Sequence, residues 1–160
     1  MAMNNREIAA ILFNISELLK RDHSNPYRIR AYRRAARNLL RARHSVAERA
    51  AAGQPLGLPQ LGASLSAKIS TLATTGRLPF YEELCAAQPP VQHALLLLPG
   101  FGPTLAARVE RDLGAQTPAD VLQAAASGNL RRVWGIGPKR AAQIVGALRG
   151  GEVVYQQRLV

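Results

Sequence analysis

Leu98-Pro99-Gly100-Phe101-Gly102-Pro103-Thr104-Leu105-Ala106-Ala107-Arg108 is the stretch whose reading decides the fold of this chain. Two glycines one residue apart allow a tight turn, a proline then presets the first position of a helix, and an alanine- and leucine-rich run carries that helix on. Thirty-five positions later, Val133-Trp134-Gly135-Ile136-Gly137-Pro138-Lys139-Arg140-Ala141-Ala142 repeats the pattern, and Leu58-Pro59-Gln60-Leu61-Gly62-Ala63 precedes both with glutamine in place of the first glycine. Each is a short apolar hairpin standing immediately before a helix. A turn of this kind aims several backbone N–H groups at one point beside a helix N-terminus, which suits a phosphate oxygen. Three such sites point to a nucleic-acid backbone. Gln60 makes the first copy the weakest, because a left-handed glutamine carries about 1 kcal/mol of strain.

Outward from the hairpins the apolar residues recur at helical spacing and almost nothing alternates as a strand would, so the expected fold is all-α. A first helix is predicted over Asn5 to Arg21, with Ile8, Ile11, Leu12, Ile15, Leu18 and Leu19 as its buried stripe. Asn25 caps and Pro26 opens a second helix reaching about Arg43. After a short segment from Ser45 to Ala51, the first hairpin launches a helix from Ala63 to Thr75, stopped by Gly76. Further helices are expected at about Phe80 to Ala87, Val91 to Leu97, after the second hairpin to Leu113, from Thr117-Pro118 onward, and from Pro138 to about Leu148. The two complete repeats should pack about a pseudo-twofold axis and share a core.

The formal net charge of the 160 residues is +11, and its distribution says more than its size. Residues 1–22 balance three basic against three acidic groups, residues 23–81 hold ten basic residues against Glu48 alone, and residues 82–160 hold eight against six. The second predicted helix contains seven arginines and no acid. Arg30, Arg34, Arg37 and Arg41 share one of its faces, while Ile29, Tyr32, Ala36 and Leu39 share another, so one side packs and the other meets a polyanion. With 48% apolar residues the chain can build a core, and a single cysteine, Cys85, excludes an internal disulfide framework. Cys85 is expected to be a half-buried, inert thiol. No run approaches a membrane span and the N-terminus does not read as a signal peptide, so no membrane partner and a cytoplasmic location, nucleoid-associated in a bacterium, are expected.

Nucleotide-binding readings of the glycine pairs fail on chemistry. Gly100-Phe101-Gly102-Pro103-Thr104-Leu105 lacks a third glycine and a preceding strand, and Gly135-Ile136-Gly137-Pro138-Lys139-Arg140 lacks the Ser or Thr that follows the lysine of a P-loop. The spacing instead resembles the helix-hairpin-helix motif, which grips DNA backbone through hairpin amides. Beyond the motif, Asn25-Pro26-Tyr27-Arg28-Ile29-Arg30-Ala31-Tyr32-Arg33-Arg34-Ala35-Ala36, the first hairpin, Ala67-Lys68-Ile69 and Thr75-Gly76-Arg77-Leu78-Pro79 closely resemble the N-terminal part of the family X DNA polymerases, the DNA polymerase beta group. The second and third hairpins extend the likeness over about residues 5–148. It implies a lyase-like helical domain with the first hairpin at 1–79, a tandem helix-hairpin-helix domain at 80–150 and a tail at 151–160.

That resemblance also assigns roles. Lys68 matches the lysine that forms a Schiff base with the deoxyribose aldehyde of a cleaved abasic site, a role arginine cannot fill because it stays protonated. Tyr32 matches a tyrosine near that nucleophile, and Tyr32 is equally well explained as a core residue. Arg28 matches a basic residue near the 5′ phosphate. The expected DNA contacts are Arg28, Arg30, Arg33, Arg34, Arg37 and Arg41, the hairpin residues Gly62, Gly100, Gly102, Gly135 and Gly137, and Thr104, Lys139 and Arg140 at the helix starts. No cofactor is required, although family members hold a monovalent cation, Na⁺ or K⁺, at hairpin carbonyls that correspond to Leu96, Leu98 and Phe101. The chain departs from the family where Ser64 and Phe80 replace basic residues, Leu56 stands at a lysine position, and Tyr27 replaces a histidine. An aromatic at 27 can stack a base.

Polymerisation is not expected of the chain by itself, since Asp22, Asp112 and Asp120 are scattered and form no two-metal cluster. His23, His44 and His93 share no ligand spacing with one another or with Cys85, so no zinc site is predicted. Trp134 has two readings, stacking on a sugar or base and packing beneath its hairpin. The resulting expectation is a sequence-non-specific binder of gapped, nicked or duplex DNA in repair, working with a separate polymerase or ligase. The alternative is a deoxyribose-phosphate or abasic-site lyase acting through Lys68.

Overall fold

A computed structural model describes residues 2–159, with side chains as far as residue 149. The described residues form helices and no strand. In order these are α1 (Asn5–Arg21), α2 (Pro26–Arg41), α3 (Val46–Ala51), α4 (Ala63–Thr75), α5 (Pro79–Ala86), α6 (Pro90–Leu96), α7 (Pro103–Leu113), α8 (Pro118–Ala126), a 3₁₀ turn at Leu130–Arg132, and α9 (Pro138–Leu159). The chain divides into two compact units, Met1–Leu84 and Cys85–Val160. The division falls inside α5 because its first residues belong with the first unit: Phe80 stacks on Tyr32, and the Tyr81 hydroxyl accepts a hydrogen bond from Asn14 Nδ2 at 3.0 Å.

The first unit is built on the α1 and α2 pair. Asn4 caps α1 in a reciprocal box with Glu7, and the helix buries Ile8, Leu12, Ile15, Leu18 and Leu19, with Ile11 at the half-buried edge of the stripe. Against it α2 places Ile29, Tyr32, Ala35, Ala36 and Leu39, and Ile69, Leu72 and Ala73 of α4 complete the core. The α2 helix ends at Arg41 rather than Arg43, since Ala42 turns to extended backbone at ψ 135°. The segment from Ser45 to Ala51 is itself a helix, α3, started by Ser45 Oγ accepting the Glu48 amide at 3.2 Å. Asn5 anchors that start from α1: its amide nitrogen donates to His44 O at 2.7 Å and its oxygen accepts from the Val46 amide at 3.0 Å. His44 Nε2 in turn lies 2.7 Å from Leu56 O, which fixes the backbone leading into the first hairpin.

The second unit has the internal symmetry that its repeat predicts. Phe101 N donates to Leu98 O at 3.3 Å and Ile136 N to Val133 O at 3.0 Å, and each following helix opens alike, Ala106 N to Gly102 O and Ala141 N to Gly137 O, both at 3.0 Å. The contacts between repeats are reciprocal. Arg108 Nη1 of α7 donates to Trp134 O in the third hairpin at 3.0 Å, and Gln143 Nε2 of α9, thirty-five positions after Arg108, donates to Pro99 O in the second hairpin at 3.0 Å. Phe101, Ala106, Val109, Val121, Leu130, Val133, Ile136 and Ile144 form the shared core. Cys85 is fully buried, not half-buried, because it faces inward from α5. The α9 backbone continues past Leu148 to Leu159, where an unpatterned tail was expected. After Gly150-Gly151 no proline interrupts it, and the two glycines cost only about 1 kcal/mol each in a helix. Val160 lies outside the described residues.

Leu12→Ala is expected to lower the unfolding free energy by about 2–5 kcal/mol, as removal of a fully buried leucine does. Urea denaturation followed by circular dichroism checks it; a loss below about 1 kcal/mol would mean that the α1 and α2 interface does not carry the first unit.

Candidate nucleic-acid interface

The three hairpins share one backbone device. Gln60, Gly100 and Gly135 occupy the same place in each turn, and all are left-handed, at φ 54°, 81° and 95°. Two residues later stands Gly62, Gly102 or Gly137, followed at once by α4, α7 or α9. A glycine in that place has no side chain to cap the helix. By contrast α1, α2, α3 and α8 are each capped by a side chain, from Asn4, Asn25, Ser45 and Thr117. At the starts of α4 and α7 no side-chain cap bond forms, so first-turn amides there remain available to an outside acceptor.

At Gly62 and Gly137 neither torsion nor packing demands glycine: the backbone is not left-handed, and an added Cβ would meet nothing within 4 Å. What glycine preserves at these two positions is bare backbone facing solvent. Thr104, Lys139 and Arg140 are exposed in the first turns of α7 and α9. Arg140 also braces its own hairpin, Nη1 donating to Gly135 O at 2.9 Å. Of the carbonyls that would serve a monovalent cation, Leu98 O accepts the Phe101 amide at 3.3 Å and retains its second lone pair.

The α2 helix presents the arginine face. Arg30, Arg34, Arg37 and Arg41 are exposed, opposite the buried Ile29, Tyr32, Ala36 and Leu39. Arg33 instead lies at the edge against Glu17 of α1, at 3.6 Å. Asn38, one turn from both Arg34 and Arg41, donates to Pro59 O of the first hairpin at 3.4 Å, which sets the arginine face beside that hairpin. Tyr27 is 77% exposed with the Arg30 guanidinium 4.7 Å from its ring centroid.

The structure brings Lys68, Tyr32 and Arg28 together. They line a concave pocket of about 360 Å³ with Ala31 of α2 and Gly62, Ala63, Ser64 and Leu65 at the start of α4. Tyr32 is both a core residue and a wall of this pocket. Burial pushes its hydroxyl above the ordinary tyrosine pKa, against the opposing effect of Arg28. Phe80 closes the constellation: its ring stacks on Tyr32 at 6.3 Å between centroids, and Arg28 and Lys68 each place their charge 5.1 Å from its centroid. Lys68 Nζ donates to Ser64 Oγ at 2.8 Å. Two residues read from sequence only as departures, Ser64 and Phe80, are therefore the ones that hold Lys68.

Residues 3–78 match the helix-hairpin-helix domain. That span contains the arginine helix, the first hairpin and Lys68, and the domain type implies nucleic-acid binding. No curated protein matches the chain. The helix-hairpin-helix match thus falls on the copy whose hairpin carries glutamine, while the two glycine-complete copies lie outside it. Sequence reasoning missed Phe80, Asn38 and Arg108 as site residues. Arg108 alone had a legible signal, its register with Gln143 in the repeat.

Turn strain gives a ranked expectation for unfolding free energies by urea denaturation. Gln60→Gly gains about 1 kcal/mol, Gly100→Ala loses about 1–2 kcal/mol from torsion alone, and Gly135→Ala loses more because its Cβ would also press on Leu105 Cδ1 at 3.2 Å. A gain at Gly100→Ala would remove the left-handed turn from the hairpin.

Proposed function

We propose that the protein binds DNA without regard to sequence by gripping phosphates, with gapped or nicked DNA in repair as its target. The observation that carries this reading is that glycine, which has no capping side chain, stands before each of the three hairpin-launched helices, whereas side chains close α1, α2, α3 and α8 and α6 starts uncapped after Pro89. For stability Ser, Asn or Asp exceed glycine at such positions by only about a few tenths of a kcal/mol, so what sets glycine apart is that it leaves the first amides to an outside acceptor. The exposed arginines of α2 supply the charge that draws in the strand, and bare amides supply the oriented donors. Carbonyls of Leu96, Leu98 and Phe101 would hold a Na⁺ or K⁺ ion beside the second hairpin, and a separate polymerase or ligase would act on the bound DNA.

Fluorescence anisotropy on a labelled gapped duplex across a salt series tests the reading. Affinity should fall steeply with salt and vary little with sequence, and replacing Arg30, Arg34 and Arg37 by Gln should flatten the log–log slope by about 0.9 for each arginine that meets a phosphate. Gly62→Ser with Gly137→Ser should hold or raise stability while weakening binding, since a serine would take the amides for itself. Wild-type protein that fails to bind at low salt, or binds as well after these changes, sinks the proposal.

One observation favours a second reading, abasic-site or deoxyribose-phosphate lyase activity related to that of the family X polymerases. The Lys68 amine shares its pocket with Arg28, Tyr32 and the uncapped start of α4, an arrangement able to receive a sugar and its phosphate. To attack an aldehyde the amine must leave Ser64 and the Phe80 face. Borohydride trapping on incised abasic DNA decides it: an adduct that disappears in Lys68→Ala supports the lyase, and no adduct at saturating binding excludes it.

A further inference from the structure

Trp134 is 78% exposed at the third hairpin, which rules out packing beneath the turn. Its indole is nevertheless placed. Arg108 reaches across from α7, donates to Trp134 O at 3.0 Å and sets its guanidinium carbon 4.7 Å from the ring centroid, so one cation fixes both the backbone and one face of the ring. Gly135, left-handed at φ 95°, carries the chain directly from the indole to the start of α9.

The internal repeat shows that this arrangement is a substitution. In the other half of the pseudo-twofold the same contact is made by Gln143 to Pro99 O, and the first hairpin likewise has Pro59 at this position. Proline followed by a neutral glutamine contact closes the turn adequately, so neither indole nor guanidinium is needed to build it. In the third hairpin both members of the pair differ together, a large aromatic for the proline and a cation for the amide. An exposed tryptophan forgoes the burial that is its usual contribution to stability.

We propose that the Trp134 indole, braced on Arg108, is a stacking platform for an unpaired nucleobase, and that it makes the second unit prefer single-stranded or gapped DNA over intact duplex. The proposal rests on the DNA-binding reading above. A nucleobase is the occupant the surroundings favour: Arg140 donates to the carbonyl of Gly135, the residue after the tryptophan, and with Lys139 it is exposed in the first turn of the glycine-preceded α9, which suits phosphate, while a nucleotide offers an aromatic face and a phosphate within one residue. Arg108 covers one face of the ring and the exposed remainder is left to the base, of any identity because every base has a π-face.

Trp134 is the only tryptophan of the chain, so intrinsic fluorescence reports on it alone. Titration of the full chain with single-stranded or gapped oligonucleotides should quench most of that emission, and intact duplex at equal occupancy should quench little. By anisotropy, Trp134→Ala should weaken gapped-DNA binding roughly tenfold, in line with loss of one base stack, and duplex binding less than about twofold, while Trp134→Phe retains part of the preference. Circular dichroism of each variant should match the parent, because the side chain is exposed. Undiminished binding with no quenching and no effect of Trp134→Ala overturns the stacking platform and leaves the phosphate grip standing. Equal weakening on gapped and duplex DNA assigns the residue to hairpin support and also overturns it. A blue shift with protein concentration in the absence of DNA would give the indole to a second copy of the chain. Failure of any DNA to bind at low salt removes the DNA-binding reading itself.

Discussion

A helix that begins after glycine has no side chain of its own at the N-cap to accept the first amides, and in this protein glycine stands there wherever a hairpin launches a helix. Gln60, Gly100 and Gly135 turn the chain back with left-handed torsions, and Gly62 and Gly137, two residues on, stay exposed. Phe101, Val133 and Ile136 bury beneath the turns, so the core and the donor-bearing surface are two sides of one backbone geometry. Losing the turn would lose both.

The α2 helix does comparable work in the first unit through side chains. Its apolar face packs on α1, and that packing commits the opposite face, with Arg30, Arg34, Arg37 and Arg41, to solvent. The two ends of the helix then meet different parts of the first hairpin and its helix. Near the N-terminal end, Arg28 and Tyr32 line the pocket of Lys68; farther along, Asn38 holds Pro59 O. Phe80 links these groups by presenting one ring to Tyr32, Arg28 and Lys68. An aromatic residue there collects cations instead of repelling them, so Arg28 and Lys68 both lie against one ring at the pocket.

In the second unit the repeat is close enough that its departures can be read one against another. Reciprocal contacts from Arg108 and Gln143 hold each hairpin by the other repeat's helix, the economical way for two short units to share a core. Symmetry accounts for the carbonyl contacts and not for the exposed indole, so that side chain is best understood by what lies outside the chain.

Much of the architecture is legible in the sequence. The helical class, the extent of α1, α4 and α7, the left-handed hairpin positions and the two faces of α2 all follow from spacing, because side-chain period and turn torsions are local properties of the backbone. The Ser45 cap with Glu48 three residues on marks the start of α3, a signal left unused where Ser45 to Ala51 is read only as a short segment. The persistence of α9 to Leu159 was not legible, since paired glycines look like a stop while costing only about 2 kcal/mol in sum.

Contacts between residues distant in sequence were a different matter. That Phe80 sits on Tyr32, that Lys68 rests on Ser64 and the Phe80 ring, that Cys85 is sealed, and that Arg108 supports Trp134 depend on which helix faces arrive beside one another. Sequence by itself determined which backbone amides would be bare and which face would be basic, because those are set within one turn of chain. Only the tertiary structure decided which side chains share a pocket and which aromatic stands in solvent, because packing acts through space and the chain's numbering does not encode distance.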